Sequence, residues 1–462
     1  MVIKSFSFRA SLLLPLVLTS LSNFQPRSVL RDIASLFNFQ PITPSLTWTT
    51  TPITPTTYYV SGDGSDTNTG LSTSSPFRTI QQAANLTKPG DKVLIMNGVF
   101  TNSDPWGQVI LITRSGSSNA WIKFEAYPGH SPKLKHNGWN GILIKDGASY
   151  IEINGLEIEG NNANVTLEYA MSQKANGQNP LTNGNCVTID GRNNGNSHHI
   201  RILNNKVHSC GGGGIGVIQA DYVTVDGNEV FNNAWYSVYA NSGISFYQSW
   251  NYDRNTGYKM LVTNNKVYNN RQYIPWIVTG TITDGNGIII DDSRNTQNRS
   301  TLGVYRGRTF VANNVSFNNG GSGIHTLLSD RVDIINNTTY LNNQSPEIKD
   351  GQIFANQSSD VKIWNNILYA YPGKNVTTNF NNNNVSYNHN IYANSSLIAV
   401  VGAQDIIADP QFINSSIADF RLKPTSPAIN SGFSWINLKN DILGNRRPSG
   451  NGYDRGAYEY QF

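Results

Sequence analysis

The feature that most constrains this chain is a short strand pattern that ends in asparagine, usually doubled, and keeps returning. Segments 200–207 (IRILNNKV), 223–230 (VTVDGNEV), 261–267 (LVTNNKV), 310–315 (FVANNV), 332–338 (VDIINNT) and 361–367 (VKIWNNI) share this plan. The last asparagine of each falls at Asn205, Asn228, Asn265, Asn314, Asn337 and Asn366, with Asn390 next. Gaps of 23, 23 and 24 residues fit single turns of a solenoid, and gaps of 37, 49 and 29 fit turns carrying insertions. A second strand begins at Gly214-Ile215, Gly243-Ile244, Gly287-Ile288 and Gly323-Ile324. No helical period lies between such strands, so βαβ units are excluded and the strands must stack coil on coil. The chain holds 61 asparagines in 462 residues. Asparagine tolerates left-handed backbone angles and bonds to its equivalent one coil away, so a stacked ladder is expected. The expected fold class is all-β, a right-handed parallel β-helix with an N-terminal cap and an irregular C-terminal segment.

Composition narrows the function. With 11% aromatic and only 14% charged residues the chain is not disordered, and a net charge of +4 offers no basic face for nucleic acid. Lys4 and Arg9 precede an apolar stretch from Leu12 to Leu21, which reads as an export signal over residues 1–22. That stretch is too short to span a bilayer, so no membrane span is expected in the mature chain. A Thr/Pro-rich linker over 23–57, a β-helix over 58–395 and a C-terminal segment over 396–462 complete the expected organisation of a monomer that is secreted or held at the cell surface. Cys186 and Cys210 lie 24 residues apart, one coil, where either a disulfide or two buried thiols would fit.

A solenoid has no pocket by default, so function should sit where insertions rim one face. The turn following the second strand spans 8 residues from Ile215 to Val223, from Ile324 to Val332 and from Ile353 to Val361. It grows to 16 between Ile244 and Met260 and to 22 between Ile288 and Phe310. Among these insertions lie Asp284, Asp291 and Asp292, followed by Arg294. Register puts Asp291 in the column of Ile218, Tyr247 and Leu327, and Asp292 in that of Gln219, Gln248 and Leu328. The adjacent carboxylates of Asp291 and Asp292 repel unless they share a proton or a cation, which makes Ca²⁺ the expected cofactor. A strand end solvated and capped by Arg294 is the simpler alternative. His325 is a candidate general base whose face depends on whether a bulge intervenes. Glu347, Lys349 and Asp350 occupy the turn before the following coil. Tyr247, Trp250 and Trp276 belong to an aromatic cluster suited to sugar rings.

The run at 58–70 (YYVSGDGSDTNTG), with 76–83 (PFRTIQQA) and 89–95 (PGDKVLI), resembles the cap and first coil of the pectate-lyase-like β-helix superfamily. Segments 409–412, 420–422, 426–432 and 454–460 resemble the C-terminal region of bacterial β-helix surface proteins. The resemblance implies a polysaccharide lyase in which Asp284, Asp291 and Asp292 hold Ca²⁺ against an acidic, uronate-containing polymer. His325 stands after a Gly-Ile pair where that family places Lys, and becomes the base, with Lys349 in reserve; Arg294, Gln248, Tyr247, Trp250 and Trp276 become substrate contacts. Two other readings stay open: a glycoside hydrolase using Asp291 or Asp292 with a second carboxylate such as Glu347, and a non-catalytic glycan-binding surface protein.

Overall fold

The computed structural model describes residues 54–435 and 438–462. The expected export signal, and nearly all of the linker, lie outside the described residues. One coil shows the plan of the rest. Strand Ile288–Asp291 lies in one sheet, Arg308–Ala312 in a second and Val315–Phe317 in a third, after which Ile324–Leu327 returns to the first. Repetition builds parallel sheets of nine, eleven and eleven strands, which together form the β-helix.

Side chains alternate along each strand, so every second residue enters the lumen. Ile244, Phe246, Ile288, Ile290 and Ile324 all point inward and are buried. The doubled asparagines divide two tasks. The first of each pair takes a left-handed angle that turns the corner, as at Asn204, Asn264, Asn313, Asn336 and Asn365, while Gly227 does the same at φ +69°. The second faces inward and builds the ladder: Asn265 donates from its backbone N–H and from Nδ2 to Oδ1 of Asn314, both at 2.9 Å, and Asn314 repeats this toward Asn337. A second ladder, unforeseen from the sequence, runs through Asn233, Asn270, Asn319 and Asn342 and closes on Gln352. Each rung leaves no donor of its amide buried without an acceptor, which polar groups at a solenoid corner require.

Helix Ile80–Leu86, started by the Thr79 hydroxyl accepting from the Gln82 N–H, covers the N-terminal end with Ile80, Ala83 and Ala84. Parallel pairing continues to Ile406–Ile407, past the end expected at 395. Beyond it, Phe412 and Phe420 pack against Tyr340 on the outer side of the third sheet. Cys186 and Cys210 form a disulfide between coils with Cα atoms 5.6 Å apart.

Candidate active site

The outer face of the nine-stranded sheet carries two columns of side chains. One runs through Thr188, Gly216, Ser245, Ile289, His325 and Phe354, the other through Asp190, Ile218, Tyr247, Asp291, Leu327 and Asn356. No bulge interrupts these pairings, so His325 shares the outer face with Asp291. Insertions raise walls on both sides: Tyr239, Asn241, Trp276 and Asp284 on one, Gln297 and Asn298 on the other. Asp350 and Phe354 line the neighbouring coils, and the enclosed groove measures about 550 Å³, within the range of roughly 300–1,000 Å³ typical of small-molecule sites.

Asp284 is positioned by its backbone. Gly285 takes φ +82°, and a Cβ there would lie 2.4 Å from the Gln272 backbone nitrogen, so only glycine fits. Gln272 Oε1 in turn accepts from the backbone N–H groups of Thr283 at 3.0 Å and Asp284 at 2.8 Å. The Asp284 carboxylate accepts from Thr283 Oγ1 at 2.8 Å, Asn286 Nδ2 at 3.0 Å and Ser242 Oγ at 3.5 Å, all neutral donors. Burial pushes its pKa up to about 6 against these bonds. Asp291 accepts only from Gln297 Nε2, at 2.9 Å. Burial, then the charges of Asp284 and Asp292, push it up to about 7. Burial also raises Asp350. Among the described residues no lysine or arginine lines the groove. With no cation to hold either charge, burial favours the protonated form of both Asp284 and Asp291.

Several sequence expectations need correction. Asp292 does not face the groove. It follows the last strand residue at φ 47°, as Gln219, Gln248 and Leu328 do in their coils, and that corner turns its side chain inward beneath the insertion. There it is fully buried and accepts from Gln248 Nε2, from the backbone N–H groups of Thr296 and Gln297 and from Thr296 Oγ1. A carboxylate so supplied with donors anchors the loop and is not free for a metal. Gln248 is likewise committed, to Asp292 and to the Gln297 carbonyl. Arg294 forms a forked ion pair with Asp330 at 2.7–3.0 Å. Trp250 packs beside His198 and Tyr252 and not in the groove. Glu347 and Lys349 are exposed outside it, and only Asp350 of that turn reaches in.

Tyr247 and Trp276 do line the groove, as do Asp284, Asp291 and His325. The His325 ring lies flat on Phe354, with centroids 4.8 Å apart, and makes no hydrogen bond to a protein group; its Nδ1 is buried without a partner. Burial lowers its pKa to about 3, so it stays neutral. Gln297 and Asn298 were not singled out from the sequence. The length of their insertion was the signal, but nothing in it says which residues fold back to reach Asp291 and the Tyr247 hydroxyl.

The right-handed β-helix region model described as Pel9A-like matches residues 58–359, well over half of the chain. The chain belongs to this family. Among solved structures, pectate lyase Pel9A is similar at 17% identity over 88% of this chain and 96% of its own, with a TM-score of 0.49. A rhamnogalacturonan lyase is similar at 16% identity over 85% and 99%, TM-score 0.41. The lacto-N-biosidase of family GH136 from Eubacterium ramulus is similar at 16% over 74% and 56%, TM-score 0.41. No curated protein sequence matches. Among the described residues no helix is long and apolar enough to cross a membrane.

Proposed function

We propose that this β-helix hydrolyses a glycosidic bond of a glycan laid in the groove, with Asp284 and Asp291 as the reacting carboxyl groups. One observation carries the reading: two carboxyls, Asp284 and Asp291, face one groove and pair with no cation among the described residues; burial, which raises both above the ordinary carboxylate range, supports it. Glycoside hydrolysis needs such a pair, with one member protonated to release the leaving oxygen and the other ionised to attack the anomeric carbon or activate a water. Asp291, pushed up further, keeps the proton and acts as general acid; Asp284, steadied by three neutral donors, is the ionised partner. Tyr247 and Trp276 offer ring faces to the sugar, and Asn241 and Asn298 offer amides to its hydroxyls. Three carboxyls, with no lysine or arginine and a neutral His325 along the lining, favour an uncharged sugar at the point of cleavage. The disulfide and the expected export signal fit work outside the cell.

A second reading, cation-assisted β-elimination of a uronate polymer, draws on family membership and on the same unpaired carboxylates. Carboxyl oxygens such as those of Asp284 and Asp291 are the hard ligands that Ca²⁺ takes, but among the described residues no set of three ligand groups that includes them gathers within 4.8 Å. When bound, it would supply charge neutralisation and acidify the proton beside a uronate carboxylate. Asp284 and Asp291 would hold it, and neutral His325, with no protein partner, would take the proton. Against this reading, a base held near 3 is a poor match to proton abstraction at neutral pH. Product analysis separates the two: new reducing ends without ultraviolet absorbance, persisting in chelator, indicate hydrolysis, whereas chelator-sensitive absorbance of an unsaturated uronate indicates elimination.

A further inference from the structure

A second, smaller pocket lies at another corner of the solenoid, lined by Asn232, Trp235, Asn269, Arg271, Tyr273, Asn318 and Gln344. Its volume is about 210 Å³, room for several water molecules at about 30 Å³ each. Asn232, Asn269 and Asn318 are the corner-turning members of three successive pairs, all at left-handed φ of 54–57°, while their neighbours Asn233, Asn270 and Asn319 are consumed by the inner ladder. Trp235 and Tyr273 stand edge to face, 5.8 Å apart, and Trp235 is fixed by donating from Nε1 to the Asn269 carbonyl at 3.1 Å.

Arg271 sits among these groups without a counter-charge. Its guanidinium lies 5.0 Å from the Tyr273 ring centre, and its one hydrogen bond to protein runs from Nη2 to the Gln344 carbonyl at 3.2 Å. Its Nε is buried and has no partner. No carboxylate lines this pocket, and among the described residues Arg271 takes part in no ion pair, unlike the part-buried Arg294 and Arg308. An uncompensated planar cation beside aromatic walls and a column of free amides matches a sugar that carries an anionic group: the anion against the guanidinium, the ring against Trp235 or Tyr273, hydroxyls against the asparagines.

We propose that this pocket is an auxiliary glycan-binding site for a carboxylate- or sulfate-bearing sugar. It is distinct from the acidic groove and does not depend on which reaction the groove performs. It would hold an anionic unit of a polymer on the protein while another part of the same polymer lies in the groove.

The test is calorimetric titration of the full chain, made inactive by Asp291→Asn and kept in chelator so that no cation bridges ligand to groove. The probes are an oligogalacturonate, a sulfated galactan oligosaccharide and a neutral cello-oligosaccharide. At least one anionic probe should bind 10-fold or more tightly than the neutral one, and raised salt should weaken it. Carboxylate-only or sulfate-only binding would each support the site and name the anion. Arg271→Gln, which keeps the aliphatic stem against Gly320, should cost at least 10-fold for the anionic probe and leave the neutral one unchanged; Arg271→Lys should cost less. Equal binding of charged and neutral probes, anionic binding indifferent to salt and to Arg271→Gln, or no binding by any probe would overturn the proposal. Salt dependence needs no variant, so a misfolded Arg271→Gln would not leave the question open.

Discussion

Asp291 and Asp292, adjacent in sequence, work on opposite sides of the strand end, and Gln297 touches both: its side chain donates to Asp291 at 2.9 Å and its backbone N–H to Asp292 at 2.7 Å. One carboxyl faces the groove and the other ties down the insertion that forms the wall. Substitutions at the two positions should therefore separate activity from stability. Asp291→Asn should lower turnover by about 100-fold or more with little loss of melting temperature. Asp292→Ala leaves four donors without an acceptor and should destabilise by about 3 kcal/mol or more. Paired denaturation curves and initial rates would check both.

The carboxyl pair also fixes how activity and stability depend on pH. Turnover requires one proton on Asp284 and Asp291 together, so the rate should be bell-shaped with limbs near 6 and 7. Both groups have folded pKa values above those of an unfolded carboxyl, so the folded state binds more protons between about pH 4 and 7. Their favourable contribution is complete below the unfolded value and is lost as pH rises through 6 and 7. Asp291→Asn should therefore melt at a higher temperature than the unaltered chain at pH 8, and at nearly the same temperature at pH 4. Rate profiles and thermal melts across that range test the sign.

The Asn ladder predicts a sharp local cost. Removing Asn314 Oδ1 strips the acceptor from both the backbone and side chain of Asn265, and the Val262 carbonyl and Asn337 lose their Asn314 partner. Asn314→Ala should destabilise by about 2–4 kcal/mol, given about 1–3 for each buried polar group left alone. Asn204→Gly, at an exposed left-handed corner whose side chain makes a single exposed hydrogen bond to Asn154, should cost far less. Urea midpoints for the two variants provide the comparison.

Reduction of the disulfide should also be measurable. Cys186 and Cys210 close a loop of 24 residues between coils, for which chain entropy predicts about 3 kcal/mol. The Cys186→Ala, Cys210→Ala double variant should keep its activity, since neither residue lines the groove, while its denaturation midpoint falls.

The coil plan was legible in the sequence because its cause is local. A residue that must turn a corner at positive φ, followed by one that must satisfy an inner rung, writes Asn-Asn into the chain at most coils, with Gly-Asn at 227–228 and His-Asn at 389–390. Insertion lengths likewise marked the right coils for the groove. What the sequence could not convey was direction at the strand end. Asp292 and Gln248 read as partners of Asp291 and Tyr247, yet one left-handed residue rotates each from the groove to the inside. Arg294 and Glu347 were misplaced for a related reason: proximity along the chain says nothing of whether a side chain finds Asp330 or solvent first. The second ladder was written in the same doubled asparagines, at 232–233, 269–270 and 318–319, but lay just after the strand used to define the repeat.

The most direct test of this account is product analysis with a panel of neutral and uronate-containing glycans, run with chelator present. The account predicts new reducing ends from an uncharged linkage, no ultraviolet absorbance, and loss of the activity in both Asp284→Asn and Asp291→Asn. Cleavage that generates unsaturated ends and stops in chelator, or activity that survives both substitutions, would contradict it.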